Sequence, residues 1–100
     1  MVDTYTGGPA KPTIEKDPDA VLDYSFDFGP WLTPLNDTIA SADFILETPL
    51  LEEIRVVETL TAVVWIKGGI PGQTHRATCR ITTTAGRVDD RSIFLKIKQR

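Results

Sequence analysis

Residues Thr74–Arg100 read THRATCRITTTAGRVDDRSIFLKIKQR. Ala77, Cys79 and Ile81 alternate with Arg76, Thr78, Arg80 and Thr82, and further on Ile93, Leu95 and Ile97 alternate with Phe94, Lys96 and Lys98. A period of two puts successive side chains on opposite faces of a strand. The runs flank a turn-rich centre, Gly86–Asp90, and so predict a β-hairpin with arms Thr74–Thr84 and Arg91–Lys98. Its apolar faces coincide when Ile81 sits opposite Ile93, Cys79 opposite Leu95 and Ala77 opposite Ile97. A slip by one residue would turn every apolar side chain outward. On the outer face this register sets Arg80 opposite Phe94, Thr78 opposite Lys96 and Arg76 opposite Lys98. The first pair permits a cation–π contact, and the last places like charges together, which is mildly destabilising. Arg76, Arg80, Phe94, Lys96 and Lys98 are therefore the candidate interface of the chain. Three readings of that face stay open: a solvated surface, a contact for an acidic partner or the acidic half of a neighbouring copy, and a nucleic-acid surface.

Working back from the hairpin, Leu22, Tyr24, Phe26 and Phe28 alternate with Asp23, Ser25, Asp27 and Gly29. This predicts a half-buried strand, aromatics inward and acids outward. Gly29-Pro30 ends it, Trp31-Leu32 form an apolar plug, and Pro34, Asn36 and Asp37 make a turn. Thr38–Glu47 reads as a second strand. Ile39 and Phe44 are an odd number of residues apart, so a bulge near Ser41–Asp43 is needed to bring them to one face. Pro49–Glu53 reads as an acidic loop or a single helical turn. Ile54–Glu58 and Thr61–Lys67 read as strands. The latter has Val63 and Trp65 on one face and Val64 and Ile66 on the other, as expected of a central or partner-covered strand. Gly68–Gly72 connects it to the hairpin. Residues 1–20, broken by Gly7, Gly8, Pro9, Pro12 and Pro18, read as an extended N-terminal arm, and residues 21–100 as the domain. Six or seven strands at short spacing, with no convincing helical period, predict an all-β fold: an immunoglobulin-like antiparallel β-sandwich.

One hundred residues allow one domain. The net charge of −3 divides unevenly. Residues 1–58 carry 12 acidic and 3 basic side chains, and residues 59–100 carry 2 acidic and 8 basic. Such a chain can neutralise itself internally or present opposite faces to successive copies. The single cysteine, Cys79, excludes an intrachain disulfide and fits a reducing compartment. No signal peptide is visible at MVDTYTGGPAKP. The longest apolar run, Ala62–Ile66, falls far short of the roughly 20 residues that span a bilayer.

The residues offer no catalytic constellation. His75 and Cys79 share a strand face but stand roughly 13 Å apart, beyond the reach of a nucleophile–base pair. Cys79 is expected in the core and His75 at the surface or an edge. Counted as a calcium loop from Asp17, Leu22 and Phe28 occupy the positions that require Gly and Glu. Gly68–Gly72 lacks the Lys and Ser/Thr of a phosphate-binding loop. Asp89-Asp90 read as turn residues that cap the loop or pair with Arg87 or Arg91. The site prediction is therefore no catalytic, cofactor-binding or metal-ligating residue, and no cofactor.

Two segments together resemble a known family. One is Lys16-Asp17-Pro18-Asp19-Ala20-Val21-Leu22-Asp23-Tyr24, continuing through Phe26-Asp27 to Trp31-Leu32. The other is Thr82-Thr83-Thr84-Ala85-Gly86-Arg87-Val88-Asp89-Asp90-Arg91-Ser92-Ile93. The pairing is similar to short tailed-bacteriophage proteins described as fiber–tail adaptor or virion-associated proteins, and covers roughly residues 16–100. The resemblance implies a non-enzymatic virion component made in the cytoplasm of a bacterial host. It would sit at the head–tail junction or in the tail and join other phage structural proteins, with further copies of itself in a symmetric ring. No catalytic residue carries over and no membrane insertion is implied. The competing class is a small β-sandwich binding module for nucleic acid or carbohydrate.

Overall fold

The computed structural model describes residues 3–5, for the backbone, and residues 13–99. The described residues are all-β apart from one turn of α-helix and a short 3-10 turn. Among the described residues eight strands run in the order β1 (Asp3–Tyr5), β2 (Thr13–Lys16), β3 (Leu22–Asp27), β4 (Ile39–Leu46), β5 (Leu51–Val57), β6 (Thr61–Lys67), β7 (Thr74–Thr83) and β8 (Val88–Ile97). They form two four-stranded sheets, β1-β3-β6-β5 and β2-β8-β7-β4, whose inward side chains share one core. The six strands from Leu22 onward match the expected number. The other two are segments of the N-terminal stretch, and both pair in parallel: β1 with β3 and β2 with β8. The sheets are thus mixed rather than purely antiparallel.

The alternation of β3 is realised, with Tyr24, Phe26 and Phe28 fully buried. Its opposite face departs from expectation, because Asp23 and Ser25 are also buried. The reason is position: β3 lies between β1 and β6, and Asp23 stands opposite Trp65. Gly29–Leu32 form the helical turn α1, with Pro30 in its first turn, where the missing N–H costs nothing. Leu32 is fully buried, and Asn36 ends the following 3-10 turn in the left-handed region.

In β4 the register shifts between Ile39 and Ser41, slightly before the expected bulge. The shift reconciles the odd spacing, so Ile39, Ala42, Phe44 and Leu46 all turn toward the core. Leu51–Glu53, expected as a loop or helical turn, belongs to β5, where a second register shift between Glu52 and Ile54 accommodates Glu53. β6 occupies the predicted residues and is central, between β3 and β5. Ala62, Val64 and Ile66 are wholly buried, and Trp65 stays exposed on the outside.

The glycine loop after β6 is held from three sides. Lys16 Nζ donates to the Gly68 carbonyl at 2.8 Å, the Ile70 N–H donates to His75 Nε2 at 3.2 Å, and the Gly72 N–H donates to the Ile97 carbonyl at 2.9 Å. Gly69 has φ +122°, and a Cβ built there would come within 2.5 Å of Ile97 Cδ1, so no other residue fits without displacing the core. His75, expected at the surface or an edge, is only 5% exposed on the inner strand β7, where its ring accepts the hydrogen bond from this loop.

Candidate interaction surface

The surface is built on the β7–β8 hairpin, whose observed register differs from the expected one. Ala77 faces Ile93, Cys79 faces Arg91, His75 faces Leu95 and Ile81 faces Asp89, a displacement of four residues. The turn explains it. The Thr83 N–H donates to the Arg87 carbonyl at 2.7 Å, and Gly86 takes φ +91°. This leaves a three-residue loop, Thr84–Gly86, of the kind that needs a left-handed residue in third place. Asp89 and Asp90 therefore lie within β8 rather than in a turn. A displacement of four is even, so every side chain keeps its face. Ala77, Cys79, Ile81, Ile93, Leu95 and Ile97 are all buried, as expected. Burial pushes the Cys79 thiol up to about 12, so it is inert at neutral pH.

The new register rewrites the outer face. Arg80 stands opposite Asp90, not Phe94, and binds it through two hydrogen bonds of 2.8 Å. The hydrogen bonds with Arg80 hold the Asp90 carboxyl below its usual range, and Asp90 in turn raises the arginine. Thr78 lies opposite Ser92, their hydroxyls 2.7 Å apart. Arg76 faces Phe94, and Lys96 lies between Thr74 on β7 and Glu15 on β2. Lys98 follows the strand end, its Nζ 3.9 Å from Glu15. The structure thus gathers Arg76, Phe94, Lys96 and Lys98 at one end of the sheet. Arg80, four residues from Arg76, sits roughly 13 Å away and is neutralised. Among the described residues, the side chains of Arg76 and Lys96 are in no ion pair.

Four charged residues outside the candidate interface organise the body beneath this face. Asp37 is buried and joins the turn before β4 to the hairpin loop. Burial alone would push its carboxyl up. Hydrogen bonds from Thr83, from Arg87 Nη1 at 2.7 Å and from the N–H groups of Thr38 and Ala85 outweigh this and hold it at about 2. Lys16 is wholly buried in β2, and burial lowers its pKa against the opposing pull of Asp17 and Asp19. Arg91 lies over the Phe28 ring at 4.4 Å, reaches Asp89 at 3.2 Å, and so closes one end of the core. Arg55 bridges the sheets. It binds Glu52 in a fork, donates to the Ala42 carbonyl at 2.8 Å and stacks over Phe44 at 5.4 Å. The Arg87-Asp89-Arg91 run hinted at ion pairing, and Asp89–Arg91 is observed. Nothing local marks Lys16 or Asp37 as buried, because their partners lie about fifty residues away.

On the outside of the other sheet, Leu51, Ile54, Val56 and Trp65 are exposed, with Ile54 directly opposite Trp65. Among the described residues no group of three or more His, Cys, Asp or Glu is placed to hold a metal ion, and no helix is long and apolar enough to cross a membrane.

Two sheets over one core, with cations gathered at one end of the hairpin and an apolar strip on β5 and β6, define an all-β class of protein with two distinct exposed surfaces. The family comparison gives this class a particular form. Residues 16–96 match the model of the family described as podophage GP4 fiber-tail adaptor protein gp77. The match spans most of the chain, from the buried Lys16 to Lys96, and the protein belongs to this family of phage fiber-tail adaptors. No curated protein matches the chain.

Proposed function

We propose that the protein is a non-enzymatic structural adaptor of a phage virion, at the head–tail or tail–fiber junction, with its copies arranged in a symmetric ring. The observation that carries this reading is the family match across both sheets, from β2 into β8. In this reading the fold is an immunoglobulin-like sandwich. Residues 1–20 are an extended N-terminal arm, of which residues 1–2 and 6–12 lie outside the described residues, and residues 21–100 form the sandwich domain. Arg76, Phe94, Lys96 and Lys98 meet an acidic surface, with Arg80 at the margin. Arg76 and Lys96 support that assignment because they hold their charge without an internal partner, so an incoming carboxylate has no existing ion pair to break.

Crosslinking mass spectrometry on purified phage particles tests it. Crosslinks from Lys96 and Lys98 to a tail or fiber protein are expected, and particles that lack this chain would overturn the reading. The same unpaired cations around Phe94 favour a second reading, a nucleic-acid binding module. That reading requires retention on DNA at low salt and release as salt rises.

A further inference from the structure

We infer that β5 is a detachable strap on the sandwich, latched by Arg55 and able to lift from β6 while the rest of the fold stays closed. The inference does not depend on the adaptor reading. No side chain from Leu51 to Val57 belongs to the core or packs against it, and six of the seven residues are exposed. Its neighbours differ. β6 buries Ala62, Val64 and Ile66, and β4, at the edge of the other sheet, buries Ile39 and Ala42. The sequence of β5 explains the contrast. Its inward positions are Glu52, Arg55 and Val57, opposite the buried Ile66, Val64 and Ala62. Two of the three are charged and cannot enter an apolar core, and Val57 stays 39% exposed. Charges that point inward are a recurrent feature of edge strands.

Among the described residues, β5 is held by its ladder to β6, by one surface ion pair and by Arg55. The ladder is interrupted by the register shift between Glu52 and Ile54. The ion pair, Glu53 with Lys67 at 2.7 Å, is exposed at both ends and adds little. Arg55 reaches across to β4. It donates to the Ala42 carbonyl at 2.8 Å, stacks over Phe44 and comes within 3.6 Å of Asp43, while the fork with Glu52 aims it. The ends of the strap are pinned separately. Leu50 is buried in the core, Leu60 packs against it, and the Ile39 N–H donates to the Thr59 carbonyl at 2.8 Å. Residues 51–57 therefore lift between two fixed points. Lifting takes no β5 side chain out of the core, and the ladder bonds are exchanged for bonds to water. Its cost is thus well below that of opening a core strand. It also makes β6 the edge of its sheet, with backbone groups free to pair with another chain. The strap conceals a strand-pairing edge.

Native-state amide hydrogen exchange on the full-length chain, followed residue by residue by NMR, tests this with two substitutions. Arg55→Gln removes the latch and is expected to speed exchange of the β5 amides about tenfold. Glu52→Gln, which removes the charge that aims Arg55, serves in its place if Arg55→Gln misfolds. Ile81→Val, in the core on β7, weakens the fold as a whole. It is expected to speed the β3, β7 and β8 amides severalfold and to leave the β5 amides unchanged, because β5 opens without unfolding the core. If the β5 amides accelerate together with the others in Ile81→Val, the strand opens only by global unfolding and the inference falls. Exchange of β5 unmoved by loss of the latch would overturn it equally.

Discussion

At Gly69, chain conformation and core packing meet in one atom. Its φ of +122° disfavours any side chain, and the missing Cβ is where Ile97 packs. Gly69→Ala combines backbone strain with overpacking and should cost about 3 kcal/mol in urea unfolding. Gly86→Ala is the control. It shares a positive φ of +91° but meets nothing within 4 Å, and should cost only about 1 kcal/mol. Asp37 makes a different kind of demand. Its carboxyl stands at about 2 against an ordinary 3.8, so the unfolded chain takes up the proton more readily than the folded one. Its stabilising contribution is therefore complete above about pH 4 and drains away as pH falls toward about 2. Asp37→Asn should lower stability at pH 7 and flatten that part of the acid slope. Equal acid slopes in the two proteins would show that Asp37 does not hold the hairpin loop. Neither residue declares itself in the sequence, since the Ile97 and Arg87 side chains that explain them are remote in the chain.

The strands show which information a single sequence holds. Alternation set the faces of β3, β6, β7 and β8 correctly, because parity depends only on neighbouring residues. Register depends on the loop, and two registers four residues apart bury the same side chains. Reading Asp89-Asp90 as turn formers chose the wrong one. The Gly86 signal was present, and in the register it sets Asp90 pairs with Arg80 across the sheet while Asp89 pairs with Arg91 two residues along the same strand. Cysteine pairs read this register directly. Thr78→Cys with Ser92→Cys replaces hydroxyls 2.7 Å apart and should oxidise to a disulfide within the chain. Thr82→Cys with Ser92→Cys, which the alternative register would join, should not. Cys79 will not interfere, being buried with its thiol at about 12. The basic face was legible as a set of residues but not as an arrangement. Arg80 drops out into an ion pair, and the expectation of a loop or helical turn over Pro49–Glu53 hides the start of β5 and its apolar strip.

At the scale of the molecule, the N-terminal segments finish both sheets. β2 contributes Ile14 to the core, and Lys16 ties the sheet to the glycine loop. Removing residues 1–16 should cost about 3 kcal/mol, as lost apolar burial and unsatisfied carbonyls, read as a lower urea midpoint. An unchanged midpoint would mean that these strands decorate the fold rather than complete it. Parallel pairing leaves no hairpin signature and joins residues far apart in the chain, so neither strand shows in the sequence.

That pairing has a consequence for how the protein is made. Residues 13–16 leave the ribosome early, yet their partners are residues 94–97. During synthesis the early segment has nowhere to dock, and its buried lysine stays in water until the last strand emerges. The second sheet therefore completes only after translation of β8, and a chain stalled before Phe94 would forfeit a strand it had already made.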